Sequence, residues 1–223
     1  MKDRIEEIRK DPFKIELMRK GIHLFSLSIP ILYYYVPRHI ALSIAIPLTT
    51  ILITLDVLRY YSKTIASLWS NIFGFMLRKH ETGSKKALTG GTYVAISATL
   101  CILLFPKVLV ITSFAILIIS DISAALVGKK FGKIKIFDKT LEGSIAFFVS
   151  AFIVILLTPK IQHLPLEYII AIIGAFFGAL AELFSFNILD DNLAIPLCIS
   201  LVMWGLYILW LPQLNIYALD IVK

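Results

Sequence analysis

The chain has 223 residues, 58% hydrophobic and 17% charged, with a formal net charge of +7. A soluble domain of this size holds roughly 45–50% apolar and about 25% charged residues, so the surplus excludes an ordinary water-facing globule and makes lipid the surrounding solvent. The positive charge is unevenly distributed along the chain, which fits orientation in a membrane and an anionic substrate rather than a nucleic-acid partner.

Residues 1–20 are charged, divided by Pro12, and read as an amphipathic segment without the apolar core of a cleavable signal. Apolar runs follow at about 22–36, 39–58, 88–105, 107–127, 143–158, 166–185 and 193–211. Most approach the roughly 20 residues that a helix needs to cross the hydrocarbon layer. The expectation is an all-α polytopic membrane bundle of about seven spans, forming one domain. Cys101 and Cys198 lie inside apolar runs and read as small buried hydrophobes.

The basic residues test that count. Seven precede the first run, six fall between the second and third, and five between the fourth and fifth, so eighteen of the 22 lie on one side. Only Arg38, Lys107, Lys160 and Lys223 remain for the other side. By the positive-inside rule the N-terminus is cytoplasmic. Residues 59–87, the longest polar stretch, read either as an amphipathic helix on the membrane surface or as a solvated connector.

Ionisable groups inside apolar runs are costly, and each needs a reason. Asp121 lies near the cytoplasmic end of the fourth run, with Ala124, Ala125 and Gly128 on its helical face. It reads as a functional carboxylate, or else as part of a packing face that pairs with a lysine. Glu182 shares a face of the sixth run with Ala171, Ala175 and Gly178, and Asp190, Asp191 and Asn192 follow it. These oxygens suit a hard cation such as Mg²⁺; an Asx-rich turn is the plainer reading. Asp56 and Arg59 are spaced for a local ion pair. His23 follows Arg19 and Lys20 at a membrane entrance. The stretch GKKFGKIKIFDKTLEGS (128–144) supplies Gly128, Lys129, Gly132, Lys133, Lys139 and Glu142, and it ends at a helix start where Gly143 and Ser144 would offer amides to phosphate. It is one residue short of a P-loop. A positive-inside anchoring loop explains its lysines but not its glycines. The inventory suits a phosphate-bearing substrate with Mg²⁺ at a membrane face.

Six segments together resemble the polyprenol kinase family, which includes dolichol kinase, phytol kinase and CTP-dependent diacylglycerol kinase. They are RKGIH (19–23), LDVLRY (55–60), the stretch from Glu81 to TGGTY containing Thr89 (81–93), SDISAALVGKKFGK (120–133), KTLEGS (139–144) and AELFSFNILDDN (181–192). The resemblance implies transfer of a γ-phosphate, usually from CTP, to a long isoprenoid or lipid alcohol. It implies phosphate contacts for Arg19, Lys20, Lys133 and Lys139, and Mg²⁺ binding or hydroxyl activation for Asp121. Asp190 and Asp191 would be further metal ligands, while Gly128, Gly132, Thr140, Glu142 and Gly143 would shape the nucleotide site. The alcohol is expected to enter from lipid among the small-residue faces of the fourth and sixth runs. A CDP-diacylglycerol or CDP-archaeol synthase shares a similar pattern around 120–143 and is the nearest rival. A non-enzymatic carrier would explain the spans and carboxylates without needing the lysine-glycine stretch.

Overall fold

The computed structural model describes residues 12–62, 64–67, 88–184 and 190–220. Glu81 and most of the proposed 59–87 surface segment lie outside them. Every apolar run is helical. In chain order the elements are α1 (Pro12–Phe25), α2 (Ser28–Tyr35), α3 (Arg38–Leu58), α4 (Gly90–Leu104), α5 (Lys107–Phe131), a two-stranded hairpin of β1 (Lys135–Ile136) and β2 (Lys139–Thr140), α6 (Leu141–Leu157), α7 (Pro165–Phe184) and α8 (Asp191–Trp210), with a closing 3₁₀ turn at Ala218–Asp220.

Among the described residues, α3, α5, α7 and α8 are long and apolar enough to cross a membrane, while α4 and α6 are shorter apolar helices of 15 and 17 residues. The first apolar run is divided between α1 and α2. Leu27 N–H turns back to the carbonyl of Leu24 at 2.9 Å and Ile29 N–H to that of Ser26 at 2.9 Å. Pro30, in the first turn of α2, has no N–H to continue the α1 ladder.

Helix α5 is the axis of the bundle. Its most apolar window is 78% buried inside the protein, against 11% for α3. A helix enclosed on all sides is apolar all round, which is why this run carries so little polarity before Asp121. Helix α6 packs along α5, α8 contacts both α5 and α4, and α7 packs on α8 and α6. Hydroxyls tie the apolar layer together: Ser200 Oγ donates to Ser113 Oγ at 2.8 Å, and Thr49 and Thr99 Oγ1 meet at 2.8 Å.

The small-residue faces serve this packing. A Cβ on Gly174 would stand 2.7 Å from Met203 Cγ, and one on Gly178 2.6 Å from Ile199 Cδ1, so that face of α7 is filled by α8. On α5, a Cβ on Gly128 would lie 2.7 Å from Thr140 Oγ1, and one on Gly143 2.9 Å from the Ala124 carbonyl. Entry of the alcohol through these faces is therefore corrected: they are occupied by neighbouring backbone and side chains. Gly128 and Lys129 are also helical rather than loop, because α5 runs on to Phe131.

Candidate functional site

Three polar clusters gather at the end of the bundle where α1, α3, α5 and α7 finish and α4, α6 and α8 begin. The first is on the axial helix. Lys20 Nζ, from α1, contacts Asp121 Oδ2, and His23 Nε2 approaches the same oxygen at 3.6 Å. Lys20 is 5% and Asp121 7% exposed. A buried carboxylate without a counter-charge is costly, so α1 docks its cationic side onto α5.

The second cluster joins the hairpin to the α7–α8 end. Lys139 Nζ lies 2.7 Å from Glu182 Oε1 and 2.9 Å from Asp191 Oδ2. Burial of Lys139 works against its charge, but Asp191 and Glu182 outweigh that and hold the ammonium above its usual range. The glycines explain how Lys139 gets there. Close approach of β2 to α5 at Gly128, and of α6 to α5 at Gly143, fixes the hairpin against the axis. Lys135 pairs with Thr140 and Ile136 with Lys139 across it, and Phe137 turns the chain at φ 55°. Lys139 also stands within electrostatic reach of Asp121, so the first two clusters adjoin.

The third cluster centres on Asp56, which is fully buried. Its Oδ2 accepts from Thr89 N–H at 2.8 Å, Thr89 Oγ1 at 2.9 Å and Thr92 Oγ1 at 2.6 Å, while Arg59 Nε lies 3.5 Å from Oδ1. The expected Asp56–Arg59 pair is present. The larger role of Asp56, unread in the sequence, is to cap α4 from outside, because Thr89 makes no side-chain cap of its own. The signal was available in the Thr89–Thr92 spacing, which puts both hydroxyls on one helical turn. Gly90 in turn abuts Asn192: a Cβ there would stand 3.6 Å from Asn192 Nδ2.

Other expected residues find structural duties. Asp190 is the N-cap of α8 and accepts from Asn192 N–H at 3.0 Å and Asn192 Nδ2 at 2.6 Å, which is the Asx-turn alternative. Thr140 Oγ1 accepts from Gly143 N–H at 3.2 Å, so that amide caps α6 instead of standing open to phosphate. Glu142 accepts Ile134 N–H at 3.3 Å with both oxygens and braces the hairpin. Ser144 Oγ is enclosed without a hydrogen-bond partner among the described residues. Arg19 is half-buried on α1, whereas Lys129 and Lys133 lie on the exposed surface.

The Mg²⁺ expectation meets a mixed donor set. Among the described residues no group of three or more His, Cys, Asp and Glu is placed to hold a metal ion. Asp121 and Asp191 face ammonium groups, and Asp190 faces Asn192. Mg²⁺ commonly takes only one or two protein carboxylates and completes its shell with water and substrate phosphates. The residues thus fit a cation that arrives with a nucleotide, not one caged by protein alone.

No protein-family model matches the chain. No solved structure matches it either. It is 34% identical to Uncharacterized protein RP860 of Rickettsia prowazekii over 196 residues, covering 86% of this chain and 96% of that protein. It is 28% identical to CTP-dependent diacylglycerol kinase 1 of Schizosaccharomyces pombe over 155 residues, covering 63% of this chain and 69% of the kinase.

Proposed function

The chain belongs to the family of the uncharacterized Rickettsia prowazekii protein, and we propose that it is a multi-pass membrane kinase that phosphorylates a lipid alcohol. In this reading the bundle has about seven spans with its N-terminus and site on the cytoplasmic side of the cell membrane. The donor is CTP and the acceptor a long isoprenoid or related alcohol. The distant similarity to a CTP-dependent diacylglycerol kinase supports the reaction class.

The observation that carries the reading is the pair of lysine–carboxylate contacts, the buried Lys20–Asp121 and the partly buried Lys139–Glu182/Asp191, at one end of an apolar bundle. Phosphoryl transfer asks the protein mainly for positioning and charge neutralisation. Lys20 and Lys139 turn to the triphosphate, with Arg19 and Lys133 behind them. Asp121, on the rigid axial helix, orients the acceptor hydroxyl and takes its proton. The hydroxyl oxygen forms the new bond to the γ-phosphorus, the bond to the β–γ bridging oxygen breaks, and the nucleoside diphosphate leaves. A nucleotide-borne Mg²⁺, held by Asp190 and Asp191, would neutralise phosphate charge.

Purified protein given Mg²⁺, geranylgeraniol and CTP labelled at the γ-phosphate tests this directly. Label in the lipid is the expected result. Label released as pyrophosphate once a phosphatidate is supplied would instead identify a cytidylyltransferase, and no nucleotide consumption with any acceptor would return the carrier reading.

A further inference from the structure

We infer that a cavity between α2, α5 and the end of α6 holds the hydrocarbon chain of a single-chain acceptor alcohol, an inference that rests on the lipid-alcohol reading above. The cavity measures about 470 Å³; Leu27 and Ile31 at and beyond the α1–α2 break, Ile111 and Ala115 of α5 and Leu157 of α6 form its apolar walls, and Lys160 with its neighbours Thr158 and His163 closes its far end. That volume lies in the range that encloses one ligand-sized molecule. The break between α1 and α2 accompanies it: the α1 ladder stops at Ser26–Leu27, and Pro30, which has no N–H, lines the gap.

Four observations assign the occupant. The floor is buried, with Ile111 at 5% and Ala115 at 8%, whereas the rim residues Ile31 and Leu157 are 53% and 81% exposed, so the cavity opens sideways to lipid. Its near end lies toward the site. Leu27 follows His23 by four residues across the helix break, and Ala115 and Ile111 precede Asp121 by distances of about 9 and 15 Å along α5, at 1.5 Å per residue. A hydroxyl held at Asp121 therefore has its chain directed along α5 into the gap. Among the described residues, the two small-residue faces are closed, since Met203 and Ile199 fill that of α7 and Thr140 and Gly143 that of α5. Finally, the polar groups at the far end are engaged within the protein rather than with a phospholipid headgroup: His163 Nδ1 meets the Tyr168 hydroxyl at 3.0 Å. Lys160 commits its ammonium to the Ile155 carbonyl at 2.7 Å, the Thr158 carbonyl at 2.9 Å and Thr158 Oγ1 at 3.1 Å. Shape and the apolar walls along α2, α5 and α6 recognise the occupant, as suits a single methyl-branched chain of isoprene units.

The test pairs labelling with turnover. Geranylgeraniol carrying a diazirine at its tail end should label α2 or Leu157 in the wild type, and unlabelled geranylgeraniol should compete the label away. Ala115→Phe, which fills the floor, should abolish that labelling. It should also lower kcat/KM for geranylgeraniol at least about tenfold, with the nucleotide KM and turnover of the short alcohol prenol unchanged. Equal loss on both alcohols would overturn the assignment. So would labelling by a photoreactive phospholipid that geranylgeraniol fails to displace, which marks an annular lipid. Should Ala115→Phe not fold, the wild-type labelling and competition decide alone. If no alcohol is phosphorylated the kinase reading fails, and the labelling still reports on the cavity.

Discussion

Lys139 and Lys160 both sit just outside the ends of apolar helix α6, and they are put to opposite uses. Lys139 meets the side chains of Glu182 and Asp191, which belong to other helices. Lys160 meets the carbonyls that α6 leaves unpaired at its own C-terminus. The contrast extends to the acids. Asp121 faces Lys20 and His23 across a helix interface. Glu167, at the far end, collects Ile161 N–H at 2.7 Å, Gln162 N–H at 3.0 Å, Leu164 N–H at 3.0 Å and the Tyr207 hydroxyl at 3.1 Å. Lys160 and Glu167 at the far end complete the backbone, whereas Lys20, Asp121 and Lys139 at the site end pair with other side chains. A partner that is itself a side chain can be exchanged for a ligand; a helix carbonyl cannot be given up without fraying the helix. This difference, more than burial, separates a site from a scaffold.

The contrast is sharpest at Asp121. Asp121→Asn keeps the shape and removes the charge, so phosphoryl transfer should fall about a hundred- to a thousandfold in the protein that remains folded, while the buried Lys20 ammonium loses its counter-charge and the unfolding temperature drops. Near-normal turnover would move the chemistry elsewhere. Glu167→Ala should act on stability alone. It strands three amides and a phenol, and a destabilisation of about 3 kcal/mol is expected, read as a lowered unfolding temperature with nucleotide affinity retained in the folded fraction.

A smaller effect is expected at Lys139. Lys139→Ala leaves Glu182 and Asp191 facing each other unneutralised and should weaken nucleotide binding by about tenfold, or 1.4 kcal/mol, in equilibrium titration. Unchanged affinity would detach the hairpin from the nucleotide. The smallest effect distinguishes the two lysines by pH. Burial pushes Lys160 down to about 8, with Glu167 opposing only in part. Between that value and the ordinary lysine range the unfolded chain binds more protons than the folded one, so wild-type stability should rise with pH across this window relative to Lys160→Met. Lys139 is held above its ordinary range, so its pair contributes fully at all pH values below that range and is lost only beyond it. A Lys139→Met difference curve should therefore be flat where the Lys160→Met curve climbs.

Much of the fold was legible because lipid imposes length and apolarity on a helix, and each apolar run after the first became one helix, the first being divided between α1 and α2. The axial position of α5 left a trace too, in a run without a polar face before Asp121. Partners across the bundle left none: Lys20 and Asp121 are 101 positions apart, and nothing local to either names the other. The lysine-glycine stretch drew attention for a partly different reason than its structure gives. Gly128 and Gly143 are places where backbones touch, and their consequence for chemistry is indirect, through where they put Lys139. Asp56 read as half of a local pair because its remaining partners, Thr89 and Thr92, lie in another segment. The cavity beside α2 was unreadable, since it arises from how a broken helix sits against two others.

The carboxylates of the site stand on the long helices α5, α7 and α8, whereas Lys20 and Lys139 are carried in on α1 and the hairpin. Each acid is thus a tethered competitor for the ammonium that a phosphate would want, present at the high effective concentration that attachment confers. The apparent affinity of any anion is reduced by the fraction of time each lysine is already engaged. A ligand with one phosphate must displace a carboxylate with little to add, while a triphosphate engages both lysines at once. In the proposed kinase, self-pairing of the two lysines would therefore act as a filter, turning away small phosphates and admitting those long enough to reach both arms.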